Sequence, residues 1–196
     1  MNQLSNHDHS RFLTRTNHKA GRVEYLGAHA AGEDVDYRVM REAILIQMTW
    51  PGAPTLYYGD EAGLCGFTDP DNRRTYPWGH EKRDLIDLYR ELIWIHRENE
   101  AFRTGSFRFL DSEDQLLCYA RFQRNQQFVI VINHDDAERT KQISVIGAGI
   151  PQECTLRRMI VTTENGYSLM PQYYTVKQGS VTITLQKKSA VILERM

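Results

Sequence analysis

The amino-acid sequence predicts an α/β segment followed by an all-β segment, and a change of pattern near residue 104 separates the two. Before this point, apolar residues recur at helical spacing and alternate with short apolar runs. After it, short β-type runs follow one another with turn residues between them. We therefore expect two domains, one over residues 1–103 and the other over residues 104–196.

The α/β segment is predicted to contain two strands and two helices in alternation. The strands cover residues 1–4 and 55–58, the second one buried, and the helices run from Asp34 or Asp36 to about Thr49 and over residues 84–97. Polar loops of residues 6–32 and 60–80 connect them. Strand, helix, strand and helix in this order are typical of parallel α/β structure with right-handed crossovers.

The all-β segment is predicted to contain eight short strands. Two hairpin turns are indicated, at Arg124-Asn125-Gln126 and at Gln178-Gly179-Ser180. Strands at this spacing favour an antiparallel β-sandwich of Greek-key type. The predicted strands cover residues 106–110, 116–124, 128–133, 143–145, 155–159, 173–176, 181–185 and 190–194.

Composition excludes several classes of partner. The formal net charge is −1, with basic and acidic residues interleaved, which argues against nucleic acid or an anionic membrane surface. No apolar run approaches the length of a membrane span. Cys65, Cys118 and Cys154 are widely separated and form no CxxC pair, so neither a disulfide framework nor a thiolate metal site is expected. We expect a cytoplasmic protein, with an upstream signal peptide left open.

The run Asn6-His7-Asp8 directly follows the first predicted strand. A carboxylate beside a neutral imidazole suits neighbouring hydroxyls, because the carboxylate accepts two hydrogen bonds and the imidazole donates one. Taken alone, such a tripeptide is most often an ordinary polar turn. The histidines around it lack the helical i, i+4 spacing of a metal site, which favours a solvated loop.

Four segments in chain order resemble the α-amylase family of glycoside hydrolases, glycoside hydrolase family 13. They are residues 1–8, residues 54–63, residues 69–78 and residues 84–107. The third has the DPxxRR…PW pattern of the neopullulanase, cyclomaltodextrinase and maltogenic amylase group. The resemblance implies that residues 1–103 are the last part of a (β/α)8 TIM barrel, with strands seven and eight, and that a C-terminal β-sandwich follows.

The resemblance also implies roles for named residues in binding α-glucan oligosaccharides such as maltodextrins or cyclodextrins. Asp8 would stabilise the transition state by accepting hydrogen bonds from the sugar 2- and 3-hydroxyls, with Asn6 and His7 contacting the same region. Asp69 and Arg73 would bind further glucose units. Trp78 would stack on a pyranose ring or fill the loop against the barrel rim, and the second role is slightly favoured.

The two catalytic carboxyl groups of the retaining family are not expected within this chain. Retaining glycosidases hold them about 5 Å apart, and in this family they lie on barrel strands four and five. Asp60 and Glu61 are adjacent, so a structural role suits them better than acid/base work. We expect a C-terminal fragment that is inactive alone, whose exposed edges are covered by the missing N-terminal barrel portion or by self-association. No cofactor is expected, and a structural calcium ion stays open.

A second function remains open at this stage, a non-catalytic carbohydrate-binding or interaction module built on the β-sandwich. Aromatic side chains would form its binding platform. The candidates are Tyr167, Tyr173 and Tyr174.

Overall fold

All α-helices lie before residue 104 in a computed structural model of the protein, which describes residues 1–196. None of them combines the length and apolar character needed to cross a membrane. Short 3₁₀ turns lie at Ala28–Ala31, Asp71–Arg73 and Ile146–Ala148. The helices are α1 (Phe12–Thr16), α2 (Val23–Leu26), α3 (Arg38–Thr49), α4 (Arg83–Glu98) and α5 (Glu100–Arg103).

Nine strands follow, and all eight of the predicted strands are among them. The additional strand is β6, whose three residues are too few for a sequence pattern. The strands are β1 (Ser106–Phe109), β2 (Leu116–Gln123), β3 (Gln126–Asn133), β4 (Arg139–Ser144), β5 (Cys154–Thr163), β6 (Gly166–Ser168), β7 (Tyr173–Val176), β8 (Ser180–Leu185) and β9 (Ser189–Arg195).

The strands form one large and one small antiparallel sheet. The large sheet has the order β1-β2-β3-β9-β5, and β6 and β7 both pair with the outer edge of β5, at opposite ends of that strand. The small sheet pairs β4 with β8. Gln123 lies opposite Gln126, which leaves Arg124-Asn125 as a two-residue turn and confirms the first predicted hairpin.

The large sheet is the middle of three layers. In β3, Phe128, Ile130 and Ile132 belong to the apolar cluster that the helices share, whereas Val129 and Val131 belong to the cluster under β4 and β8. Successive side chains of a strand point to opposite faces. Because both faces are covered, the central strand is an unbroken apolar run rather than an alternating one.

The two strands predicted in the first part are not formed. Residues 1–4 and 55–58 contain no strand, and their only pairing is one parallel bridge between Asn2 and Pro54. The prediction that residues 55–58 are buried was also wrong, because Leu56 and Tyr58 are 38% and 41% exposed. A β-strand requires several consecutive paired residues, whereas this bridge pairs only Asn2 with Pro54.

The two long helices are confirmed. In α3 the apolar stripe of Met40, Ile44 and Met48 is buried, and α4 buries its own stripe against the same cluster. The expectation that Asp34 or Asp36 caps α3 was wrong, because Tyr37 is the N-cap and no side chain caps the helix. Asp36 lies one residue earlier, and its Oδ1 accepts a hydrogen bond from the Arg38 backbone N–H at 2.9 Å.

Candidate functional site

Residues 6–9 form a tight polar loop on the surface. Asn6 Oδ1 accepts hydrogen bonds from the backbone N–H groups of Asp8 (2.9 Å) and His9 (3.2 Å). His7 Nε2 lies 3.2 Å from Asp8 Oδ1, and the two side chains are 60% and 66% exposed. The loop therefore presents an imidazole and a carboxylate to solvent, while Asn6 satisfies the backbone N–H groups of Asp8 and His9.

Asn72, in the 3₁₀ turn at Asp71–Arg73, fastens this loop from below. Its side chain is fully buried, and Nδ2 donates hydrogen bonds to the carbonyl oxygens of His7 and His9, both at 2.8 Å. Arg73 Nη2 adds a further contact, to the His7 carbonyl oxygen at 3.3 Å. The two loops, which lie more than sixty residues apart in sequence, thus form one surface.

Asp69 and Arg73 form an exposed ion pair on this surface. The Arg73 guanidinium donates a hydrogen bond from Nε to Asp69 Oδ1, and the two side chains are 49% and 58% exposed, respectively. Asp69 raises the pKa of Arg73, and the nearby Asp8 carboxylate adds to this shift. We refer to Asn6, His7, Asp8, Asp69 and Arg73 as the polar cluster.

A buried arginine supports the polar cluster. Arg11 Nε donates to the Asn72 carbonyl oxygen (2.8 Å), and Nη1 donates to the Tyr58 carbonyl oxygen (2.6 Å) and lies 3.4 Å from Asp60 Oδ1. Burial raises the pKa of Asp60 to about 6, against the opposing effects of Ser5 and Arg11. Asp60 is thus buried in contact with both Ser5 and Arg11, beneath the polar cluster.

The aromatic candidates lie outside the polar cluster. Trp78 is 79% exposed, and its ring packs against Tyr76 with the centroids 4.5 Å apart. No hydrogen bond or ring contact joins Trp78 to the polar cluster. In the all-β segment, Tyr173 is 62% exposed, whereas Tyr167 and Tyr174 are half-buried.

The supporting residues were missed by the sequence analysis. Asn72 and Arg11 are polar residues in polar loops, and nothing local marks them as buried. The only sequence signal that includes Asn72 is the resemblance of residues 69–78 to a family motif. No group of three or more His, Cys, Asp or Glu side chains is arranged to hold a metal ion.

Proteins of similar sequence cover nearly all of this chain. No protein-family profile matches it. The chain is 31% identical to an amylopullulanase from Thermoanaerobacter thermohydrosulfuricus over 98% of its length and 13% of that protein's. It is 34% identical to a cyclomaltodextrinase from a Bacillus species, over 71% of this chain and 23% of the relative. A neopullulanase from Thermoactinomyces vulgaris is 32% identical, over 76% of this chain and 23% of the relative.

Solved structures share the fold over the same extent. An α-amylase from Geobacillus thermoleovorans matches 99% of this chain and 38% of its own, with a TM-score of 0.79 at 21% identity. A debranching enzyme from Nostoc punctiforme matches 97% of this chain and 34% of its own, with a TM-score of 0.70 at 28% identity.

The fold and the comparisons define a relative of amylopullulanases, cyclomaltodextrinases and neopullulanases. The chain is homologous to the C-terminal region of the α-amylase family, glycoside hydrolase family 13, which confirms the resemblance of the four segments. The chain spans between 10% and 27% of the length of curated relatives that it matches.

Proposed function

We propose that this chain supplies the last strands and helices of a (β/α)8 catalytic barrel, followed by its C-terminal Greek-key β-sandwich, in an enzyme that acts on α-glucans. The boundary between the two parts would fall between residues 103 and 104. The parallel bridge between Asn2 and Pro54 supports this proposal, because α3 lies between the two bridged residues and α4 follows them. The names of the relatives support the substrate class.

The observation that carries the proposal is that Asn72, rather than the exposed side chains of the polar cluster, fixes the loop of residues 6–9. Buried Asn72 binds the backbone of the loop of residues 6–9, so the side chains of His7 and Asp8 need not hold the loop in place. A surface whose backbone is already fixed loses little conformational freedom when a ligand binds. The cluster offers carboxylate acceptors together with imidazole and guanidinium donors, which suit the hydroxyl groups of a neutral sugar.

Each residue of the cluster then has a specific part. Asp8 accepts hydrogen bonds from vicinal hydroxyls, and these bonds strengthen as the ring approaches an oxocarbenium-like transition state. His7 donates in the same region. Asn6 can contribute only its Nδ2, because backbone N–H groups already occupy its Oδ1. Asp69 and Arg73 bind glucose units further along the chain, and Trp78 stacks on a pyranose face.

The retaining reaction further requires a nucleophile and an acid/base, two carboxyl groups about 5 Å apart. In this proposal both come from chain outside the 196 residues, which fits relatives that are several times longer. That additional chain, or a second copy, would cover an apolar hollow of about 440 Å³ lined by Leu4, Phe12 and Trp50 together with Ile46 and Leu117. The enzyme would work in the cytoplasm.

Two assays test the proposal on the purified chain. Calorimetric titration with maltoheptaose is expected to show binding that Asp8→Asn weakens at least about fivefold, since a charge-assisted acceptor is lost. Asp34→Asn is the matched control, because Asp34 is exposed and asparagine tolerates its left-handed backbone. Reducing-sugar release from maltoheptaose is expected to be absent. Hydrolysis that Asp8→Asn abolishes would instead place the catalytic carboxylates within this chain.

The alternative function, a non-catalytic carbohydrate-binding or interaction module, predicts a different outcome. Binding would then survive Asp8→Asn and depend on the β-sandwich. The exposed ring of Tyr173 is the structural feature that favours this alternative.

A further inference from the structure

A cleft separates α4 from the outer strands of the large sheet. Its volume is about 230 Å³, and Trp94 and Ile95 form its helical wall, with Arg157, Met159 and Pro171 opposite. Trp94 also lines a second hollow of about 320 Å³ on the surface of α4. The indole, 58% exposed, therefore stands between two open spaces on a helix whose other face is buried.

A second exposed ring lies on the sheet beside the cleft, next to its lining residue Arg157. Tyr173 of β7 and Glu194 of β9 lie directly opposite Arg157 of β5, on either side of it. Directly opposed residues project from the same face, so tyrosine, arginine and glutamate form a row across three strands. Arg157 Nη2 donates to Glu194 Oε2 at 2.6 Å, and its Nη1 makes no hydrogen bond. The row therefore combines an apolar ring with a free donor.

The loop beside the cleft is held in place before any ligand arrives. Arg158 donates from Nε and Nη2 to the Met170 carbonyl oxygen, at 3.0 and 2.8 Å, and from Nη1 to Gln172 Oε1 at 2.8 Å. Its backbone N–H also donates to the Gln172 carbonyl oxygen, at 2.7 Å. A preformed wall of this kind lowers the entropic cost of binding.

The charges around the cleft favour a neutral ligand. The formal charges balance, because Glu194 pairs with Arg157 and the Glu91 carboxylate lines the cleft together with Arg158, whose three nitrogens donate to neutral oxygens of the loop. An anion would thus lose its hydration without a net attraction to the cleft. A pyranose ring has apolar faces for Trp94 and Tyr173 and hydroxyl edges for Arg157 Nη1 and the nearby Glu91.

We infer that a neutral oligosaccharide, of the α-glucan class named in the proposed function, binds in this cleft on Trp94 and extends past Arg157 to Tyr173 beside it. The cleft shares no residue with the polar cluster. It would hold a glucan chain through ring stacking and has no part in bond cleavage. This inference goes beyond the proposed function, because either surface could bind sugar without the other.

The inference is tested by titrating maltoheptaose into the full 196-residue chain that carries Asp8→Asn, so that the cleft is measured alone. Trp94→Ala and Tyr173→Ala are each expected to weaken the remaining affinity about tenfold, and Trp94→Phe is expected to retain most of it. Tyr25→Ala, which removes a ring that is 84% exposed elsewhere, is the control and is expected to change nothing. Unchanged thermal unfolding of each variant shows that the fold is intact.

Two results would overturn the inference. One is affinity for maltoheptaose that neither Trp94→Ala nor Tyr173→Ala changes. The other is a concentration-dependent association of the chain, measured by sedimentation, that Trp94→Ala abolishes while sugar binding is untouched, which would make the cleft a contact between copies. A failure of Asp8→Asn to weaken binding in the wild-type background would contradict the proposed function and leave this inference standing.

Discussion

The first 103 residues and the strands that follow are held together by different means. Eleven of the sixteen buried polar residues lie before residue 104, and several donate hydrogen bonds to carbonyl groups distant in sequence. The strands instead satisfy their backbone through antiparallel ladders and bury apolar side chains on both faces of the large sheet. Loops that expose functional side chains do not form β-ladders, so buried side chains supply the hydrogen-bond partners that their backbone would otherwise lack.

The largest effect is expected where a buried charge supports the loops. Arg11→Met removes the partner of the buried carboxylate of Asp60, and we expect the free energy of unfolding at pH 7 to fall by about 4 kcal/mol. Urea unfolding measures the change. Arg22→Met, at an exposed arginine, is the control and should stay within about 0.5 kcal/mol of the wild type. A loss for Arg11→Met as small as the control would show that the loops do not depend on this residue.

The next effect tests the sheet. Ile130 is fully buried in the cluster that the helices share, and Ile130→Ala is expected to cost about 3 kcal/mol through lost burial and a cavity. Ile146→Ala, at a side chain 53% exposed, should cost much less. Hydrogen exchange should show faster opening across the whole sheet. If only the neighbouring amides exchanged faster, the sheet would not be one cooperative unit.

A pH-dependent effect is expected where the two regions meet. His134, after β3, lies 2.7 Å from the buried Glu42 of α3, and burial raises the pKa of Glu42 to about 7. The folded state therefore holds this proton more tightly than the unfolded state does, so the stability that it contributes is present below about pH 4.5 and is lost as the pH rises towards 7. The loss is about 2–3 kcal/mol.

Glu42→Gln keeps a hydrogen-bonding group and removes the titration. Its free energy of unfolding should fall less than that of the wild type between pH 4.5 and pH 7.5, by the amount above, in urea titrations at several pH values. Glu33→Gln, at an exposed glutamate, should follow the wild type. Parallel pH profiles for the wild type and Glu42→Gln would contradict the raised pKa.

The smallest loss of stability is expected at Asn72, together with a specific loss of function. Asn72→Ala removes the donors to the carbonyl oxygens of His7 and His9 and should cost about 1–2 kcal/mol. We expect the affinity for maltoheptaose to fall even under conditions in which Asn72→Ala remains fully folded, because the loop of residues 6–9 is no longer fixed. Gln152→Ala, at an exposed side chain, is the control. Unchanged affinity in Asn72→Ala would show that binding does not depend on the fixed conformation of this loop.

The strands were predictable from sequence because their information is local. The ends of β2 and β3 follow from apolar runs and a two-residue turn. The strand β4 was placed too late, because Arg139–Ser144 is mostly exposed and polar and is defined by its pairing with β8. The strand β5 is longer than expected, since a bulge between Arg158 and Ile160 interrupts its pattern without ending it.

The loops were less predictable because their partners are distant. Residues 55–58 have the composition of a buried strand, yet only Pro54 pairs. The sequence placed Asn6, His7, Asp8, Asp69 and Arg73 in related motifs, and the structure brings these side chains to one surface. The burial of Asn72 and Arg11 depends on carbonyl groups up to about sixty residues away, which no local pattern encodes.

The most direct test of the central claim is a titration of the isotope-labelled chain with maltoheptaose, followed by amide chemical shifts. If the polar cluster binds α-glucan, the amide signals of His7, Asp8 and Arg73 shift together and saturably, and Asp8→Asn weakens that response while Asp34→Asn does not. Shifts that leave these amides unchanged at saturating sugar would contradict the claim that this surface contacts the substrate.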